Sequence, residues 1–178
     1  MWEARPRADG CFGVQSRQGR RSYGVTSNMP TLAPRPRSKD LRKGRVSLPG
    51  QVYHITTVTT DRTPVFADWR SARVLVNALR ETQTRGLANT LAFVVMPDHL
   101  HWLMQLAVAA SLPKVVGSVK AVTAHKLGQP IWQGGFHDHA MRYEDDVMEV
   151  ARYIVANPLR AGLVEQLADY PHWDAVWL

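Results

Sequence analysis

The chain is 178 residues long with 45% hydrophobic residues, enough for one packed domain and a tail. Its single cysteine, Cys11, excludes an internal disulfide framework and a Cys-rich zinc site, and suits a reducing cytoplasm. No apolar run approaches the roughly 20 residues of a membrane span, and the N-terminus lacks the apolar stretch of a secretory signal, so no membrane partner is expected.

The formal net charge of +7 is unevenly placed. Residues 1–45 hold 11 Lys/Arg against 3 Asp/Glu, a balance of +8, whereas residues 46–178 hold 11 against 12, a balance of −1. The first quarter is rich in Gly, Ser, Arg and Pro and poor in large aliphatics, and reads as a basic arm that is disordered when free. Two readings of it are open: an arm that binds polyanions through counterion release, or a solvated leader ahead of a start at Met29. Either keeps the cluster Arg42, Lys43, Arg45 next to the folded part, residues 46–178.

In chain order, QVYHITTVTT from residue 51 is rich in Val, Ile, Thr and Tyr and reads as a strand. Residues 68–85 carry apolar side chains at 69, 72, 75, 76 and 79, the spacing of a helix, with Asp68 as N-cap and Gly86 as its stop. LANTLAFVVM and HLHWLMQL, separated by Pro97-Asp98, read as an antiparallel hairpin. Residues 111–127 form a second helix, capped by Ser111 with Pro113 in its first turn. IWQGGFHDHAMR is expected to be a loop and a short strand. Residues 144–156 form a third helix, ended by Asn157-Pro158. The tail with Tyr170, Trp173 and Trp177 is expected to pack back as irregular structure. The order β-α-β-β-α-β-α predicts an α+β fold: a ferredoxin-like antiparallel sheet, β-α-β-β-α-β, with an added C-terminal helix.

Alternation along the third strand puts His99 and His101 on one face, with Cα atoms about 6.5–7 Å apart, and Leu100, Trp102, Met104 and Leu106 on the other. Two imidazoles at that separation can share one divalent ion; they can equally be two half-buried histidines on a sheet. A second pair, His137 and His139, encloses Asp138, which would turn a charge toward the core if this pair held the metal. The metal is therefore assigned to His99 and His101. On the third helix Val147, Val150, Ala151 and Ile154 form the apolar stripe. Tyr153 flanks the stripe, with Asn157 one turn on and Asp146 two turns earlier on the same flank. By themselves Tyr153 reads as an amphipathic packing residue and Asn157 as a helix terminator.

The segments VVMPDHLHWLMQL, IWQGGFHDHAMR and YIVANPLRAGLV, in this order, resemble the REP-associated tyrosine transposases, bacterial relatives of the HUH single-strand transposases. LPGQVYHITTVTTDRTPVF resembles the first strand of that family, and the likeness covers about residues 42–177. The resemblance implies that His99, His101 and Asn157 hold a divalent metal, Mg²⁺ or Mn²⁺, and that Tyr153 is the nucleophile. It implies a substrate of single-stranded DNA beside an imperfect hairpin, the repetitive extragenic palindrome. It further implies an enzyme of the bacterial cytoplasm, associated with the nucleoid and acting as a monomer or homodimer. The expected product is a 5′-phosphotyrosine bond and a free 3′-OH, with rejoining that needs no ATP because one phosphoester replaces another.

A divalent ion suits this chemistry because it neutralises a nonbridging phosphate oxygen that would otherwise repel the attacking phenol. The phenol proton needs an acceptor, for which Asp98, His54, Asp146 and His139 are candidates. The hairpin stem is expected to be gripped through its phosphates by Arg42, Lys43 and Arg45, with Lys114, Lys120 and Lys126 as further candidates. An unpaired base is expected to stack on Trp132, which as a lone Trp also fits core packing. The alternative function is a domesticated hairpin-binding module without cleavage.

Overall fold

The structure is a computed structural model that describes residues 48, 50–142 and 146–177. The basic arm, including Arg42, Lys43 and Arg45, lies outside the described residues. The elements in chain order are β1 (Val52–Val58), α1 (Trp69–Thr84), β2 (Ala88–Met96), β3 (His99–Leu106), α2 (Leu112–Leu127), β4 (His137–Ala140), α3 (Val147–Val155), α4 (Asn157–Arg160) and β5 (Trp173–Ala175). The sheet order is β4-β1-β3-β2-β5 and every pairing is antiparallel. The first four strands make the expected ferredoxin-like plan.

Local chemistry accounts for most boundaries. Asp68 caps α1 by accepting from the Ser71 backbone N–H at 2.8 Å. Ser111 occupies the N-cap of α2, with a proline in its first turn. Gly86 and Gly128 end α1 and α2 at positive φ, 64° and 71°, a region that glycine enters without steric penalty. Asp146 caps α3, its Oδ1 accepting from Met148 N at 2.9 Å and Glu149 N at 3.1 Å.

Two apolar layers sandwich the sheet. On one face Ile55, Leu100, Trp102, Met104 and Leu106 pack against α1 and α2 through Leu75, Leu79, Val115, Val116 and Val119. Trp102 is fully buried there, and its indole N–H donates to Thr90 Oγ1 at 3.1 Å. On the other face Ala92, Val94, Met96 and Leu103 pack against Ala151, Ile154 and Val155 of α3.

The sheet register decides which side chains share that second face. Thr56 stands opposite His101 and His54 opposite Leu103 on one side of β3, while Val94 stands opposite His101 on the other. On β4, His137 and His139 pair with Thr56 and His54 and so lie on the same face, and Asp138 pairs with fully buried Ile55 on the opposite face. The turn between β2 and β3 is held from outside: Thr59 N and Oγ1 both donate to Asp98 O at 2.9 Å, and Phe66 N donates to Pro97 O at 2.8 Å.

Two elements differ from the sequence expectation. α3 ends before Asn157-Pro158 as expected, but a further short helix not expected from sequence, α4, starts at Asn157 with Pro158 in its first turn, where the missing proline N–H costs no hydrogen bond. The tail is not wholly irregular: β5 pairs with β2, Trp173 opposite Val94 and Ala175 opposite Ala92. It covers the β2 edge that a four-stranded sheet would leave open, and its three residues are too few to show a period in sequence.

Ile154 is fully buried beneath α3, whereas its neighbour Tyr153 is 57% exposed. Ile154→Ala is expected to lower the unfolding free energy by about 2–5 kcal/mol through the cavity it leaves. Tyr153→Phe is expected to change it by less than about 0.5 kcal/mol. Urea unfolding of the two variants checks both, and equal losses would contradict this placement of α3.

Candidate active site

β3 begins immediately after the Pro97-Asp98 turn, so its first two outward side chains, His99 and His101, stand at the open end of the sheet before α3 covers Leu103. The rings meet edge to face with centroids 4.8 Å apart. Each has its Nδ1 engaged. His99 Nδ1 bonds to Asp98 Oδ1, and Asp98 Oδ2 accepts from Arg62 Nη1 at 2.9 Å. Burial opposes ionisation of Asp98, but the hydrogen bonds from His99 and Arg62 outweigh it and hold the carboxyl below its usual range. His101 Nδ1 lies 3.1 Å from Thr56 Oγ1 and 3.2 Å from His54 Nε2. Both rings are thus engaged through Nδ1, which leaves Nε2 as the nitrogen a ligand would take.

His101 is held as a neutral ring. Burial, and then the positive charge of His99, His54 and Arg160, push its pKa down to about 3. His54 is also lowered, by burial first and His139 second. A neutral imidazole whose other nitrogen is hydrogen-bonded is the form that ligates metals. Among the described residues no three His, Cys, Asp or Glu side chains converge as a metal cage. A cation here would therefore take two imidazoles, with its remaining positions filled by an amide oxygen, phosphate or water. That donor set fits an open site for a divalent ion and not a closed structural zinc site.

The helix side supplies the rest. Asn157 Nδ2 donates to Ile154 O at 2.8 Å and to Tyr153 O at 3.2 Å, which turns its Oδ1 away from the helix. That oxygen accepts from Arg160 Nη2 at 2.8 Å and keeps a second lone pair. The Arg160 guanidinium lies over the Tyr153 ring, its Cζ 3.6 Å from the centroid. Its influence on His101 brings α4 within electrostatic reach of the sheet histidines.

The expected residues thus fall into two clusters, His99–His101 on β3 and Tyr153–Asn157 on α3 and α4, on the same face of the sheet. His54, His137 and His139 share that face. Asp146 is occupied as the α3 cap and Asp98 by His99 and Arg62. Trp132 lies outside these clusters: it packs half-buried against the α1–α2 core, its ring 5.3 Å from Phe66 and its N–H donating to Lys120 O at 3.1 Å. Lys120 reaches inward to Gln133 O and Gly135 O at 2.7 and 2.6 Å, and Lys126 approaches Glu81 at 3.7 Å. Arg160 and Thr56 were missed in sequence. Arg160 lies seven residues after Tyr153, two helical turns, but the expected helix stopped at Pro158. Thr56 is one of a run of threonines that only the register singles out.

The sheet is of a class shared with transposases, and the paired histidines lie on the face that is covered by the helix carrying Tyr153. The chain belongs to the family of IS200-like transposases, whose model, described as Transposase IS200 like, matches residues 47–155. It is similar to a Haemophilus influenzae protein named as a candidate REP-associated tyrosine transposase, with 28% identity over 69% of this chain and 78% of that protein. It is similar also to the REP-associated tyrosine transposase of Escherichia coli K12, with 33% identity over 45% of this chain and 50% of that one. Among solved structures it resembles a REP-associated tyrosine transposase bound to a REP hairpin, with TM-score 0.65 and 25% identity over 72% of this chain and 79% of that one. No helix of the described residues is long and apolar enough to cross a membrane.

The lowered histidines make stability depend on pH. As pH falls through 6.5 the unfolded chain protonates these rings, while folded His101 stays neutral until near pH 3. The unfolded state then binds more protons, so stability is lost as pH drops across that window. The urea midpoint of the metal-free chain is expected to fall between pH 7 and about pH 4. His101→Asn should flatten that fall, and an unchanged slope in the variant would contradict the burial of His101.

Proposed function

We propose that this chain is a metal-dependent endonuclease and strand transferase for single-stranded DNA beside a palindromic hairpin, working through a 5′-phosphotyrosine link. The observation that carries the reading is the pair of imidazoles braced through Nδ1, His99 and His101, on the sheet face that α3 covers, the helix that carries Tyr153. A hairpin as partner is supported by the resemblance to a transposase bound to a REP hairpin. Stem phosphates are assigned to Arg42, Lys43 and Arg45 on charge alone.

His99 and His101 would hold the cation through Nε2, with Asn157 Oδ1 as a third ligand. When bound, the cation, Mg²⁺ or Mn²⁺, withdraws charge from a nonbridging oxygen of the scissile phosphate. Tyr153 Oη then attacks phosphorus, forming the Tyr–O–P bond as the bond from phosphorus to the 3′ oxygen breaks. The phenol proton passes to a base, and the departing oxygen takes one up as a 3′-OH. Reversal by the 3′-OH rejoins DNA with no outside energy source.

Asp98 is a positioning residue in this scheme. Asp98→Asn is expected to weaken Mn²⁺ binding roughly 10–100-fold, the usual cost of losing the carboxylate behind a ligating histidine. Titration followed by the electron paramagnetic resonance of free Mn²⁺ measures this, and an unaltered affinity would remove Asp98 from the site.

The function itself is tested with labelled hairpin oligonucleotides drawn from the host chromosome, bearing single-stranded flanks. With Mn²⁺ the wild-type chain should form a protein–DNA adduct that survives SDS, and chelator or Tyr153→Phe should abolish it. Binding of the hairpin with no adduct in any metal would favour the non-cleaving binding module. An adduct formed equally well by Tyr153→Phe would move the nucleophile elsewhere.

A further inference from the structure

Among the described residues, a guanidinium with no acidic partner stands against the tyrosine and asparagine of the site. Arg160 is the last residue of α4, three positions after Asn157 and seven after Tyr153. It touches both, through the 2.8 Å bond to Asn157 Oδ1 and the 3.6 Å stack on the Tyr153 ring. Among the described residues no Asp or Glu pairs with it, whereas Arg62 is paired with Asp98. One of its five N–H donors is engaged there. The side chain is exposed.

A phosphodiester entering this face brings one negative charge and two nonbridging oxygens. A guanidinium suits such a partner because its planar fork can bond a phosphate at its edge while its face stays stacked on an aromatic ring. An ammonium on a flexible stem cannot do both in one geometry.

We propose that Arg160 binds the scissile phosphate and, by its stack on Tyr153, aligns the phenol with it. The proposal rests on the cleavage reading above. Its rival is a structural role, in which Arg160 only complements the dipole at the end of α4 and covers the Tyr153 ring.

The test uses the full chain and an oligonucleotide whose cut position has been mapped from the covalent adduct. A methylphosphonate at that position replaces one nonbridging oxygen by a methyl group and removes the charge. Binding is measured without added metal in the Tyr153→Phe background, which keeps the ring and prevents cutting. With Arg160 present, the methylphosphonate should weaken binding roughly tenfold, the lower range for a hydrogen bond to a charged group. With Arg160→Gln, the natural oligonucleotide should bind about tenfold less tightly and the methylphosphonate should add no further loss. In the Tyr153-containing chain, Arg160→Gln should slow single-turnover adduct formation roughly 100-fold. Arg160→Lys should restore binding to within about threefold but not the rate. Arg152→Gln removes an equal charge from a side chain that instead bonds Met148 Sδ at 3.0 Å, and should leave the methylphosphonate penalty intact. Equal penalties with and without Arg160, or a wild-type rate in Arg160→Gln, overturn the proposal and leave the cleavage reading standing. Absence of any adduct in the wild-type chain overturns both.

Discussion

A strand must send successive side chains to opposite faces, and β3 is central in a sheet with a packed layer on either side. Leu100, Trp102, Met104 and Leu106 fill the core under α1 and α2, which forces His99 and His101 onto the face that α3 approaches. A slip of one residue would place imidazoles in the core and Trp102 over the site. The register is fixed by β1 and β2 on both sides and by the clamped Pro97-Asp98 turn. Core packing and site geometry are therefore one constraint.

The two sides of the site differ in character. The sheet offers lone pairs: His101 is neutral because it is half-buried among other cationic groups, and both rings are braced through Nδ1. The helices offer a phenol, an amide oxygen and a permanent positive charge on one exposed flank. α3 can present that flank because its other side, with Ala151, Ile154 and Val155, is anchored in the apolar layer over β2 and β3. An anchored helix with a polar flank holds reactive groups more rigidly than a loop does.

Much of this was legible in sequence because it rests on local periods. The hairpin, the two long helices, their caps and the shared face of His99 and His101 follow from alternation, helical spacing and N-cap chemistry. What was misread lies where local signals conflict. Asn157-Pro158 carries the signal of a helix end, and α3 does end there, yet proline is also favoured in a first turn and a new helix, α4, begins at Asn157. The unforeseen α4 hid Arg160. Trp132, expected to stack on a base or pack in the core, packs half-buried against Phe66, a contact that residues around it did not signal. Lys120 was a candidate phosphate contact, and its ammonium bonds the carbonyls of Gln133 and Gly135 in the loop before β4.

The sequence alone determined the order of elements, the polarity of each face of β3, and the presence of two histidines, a tyrosine and an asparagine in a pattern that resembles one family. These depend only on spacing along the chain and on side-chain chemistry. Tertiary structure decided which strand lies beside which. It thereby decided that Thr56 and His54 back His101, that β5 covers the β2 edge, and that Arg160 lies against Tyr153 and Asn157 beside the histidines. Contacts between residues 45 or more positions apart depend on sheet register and helix docking, and no short-range pattern encodes either.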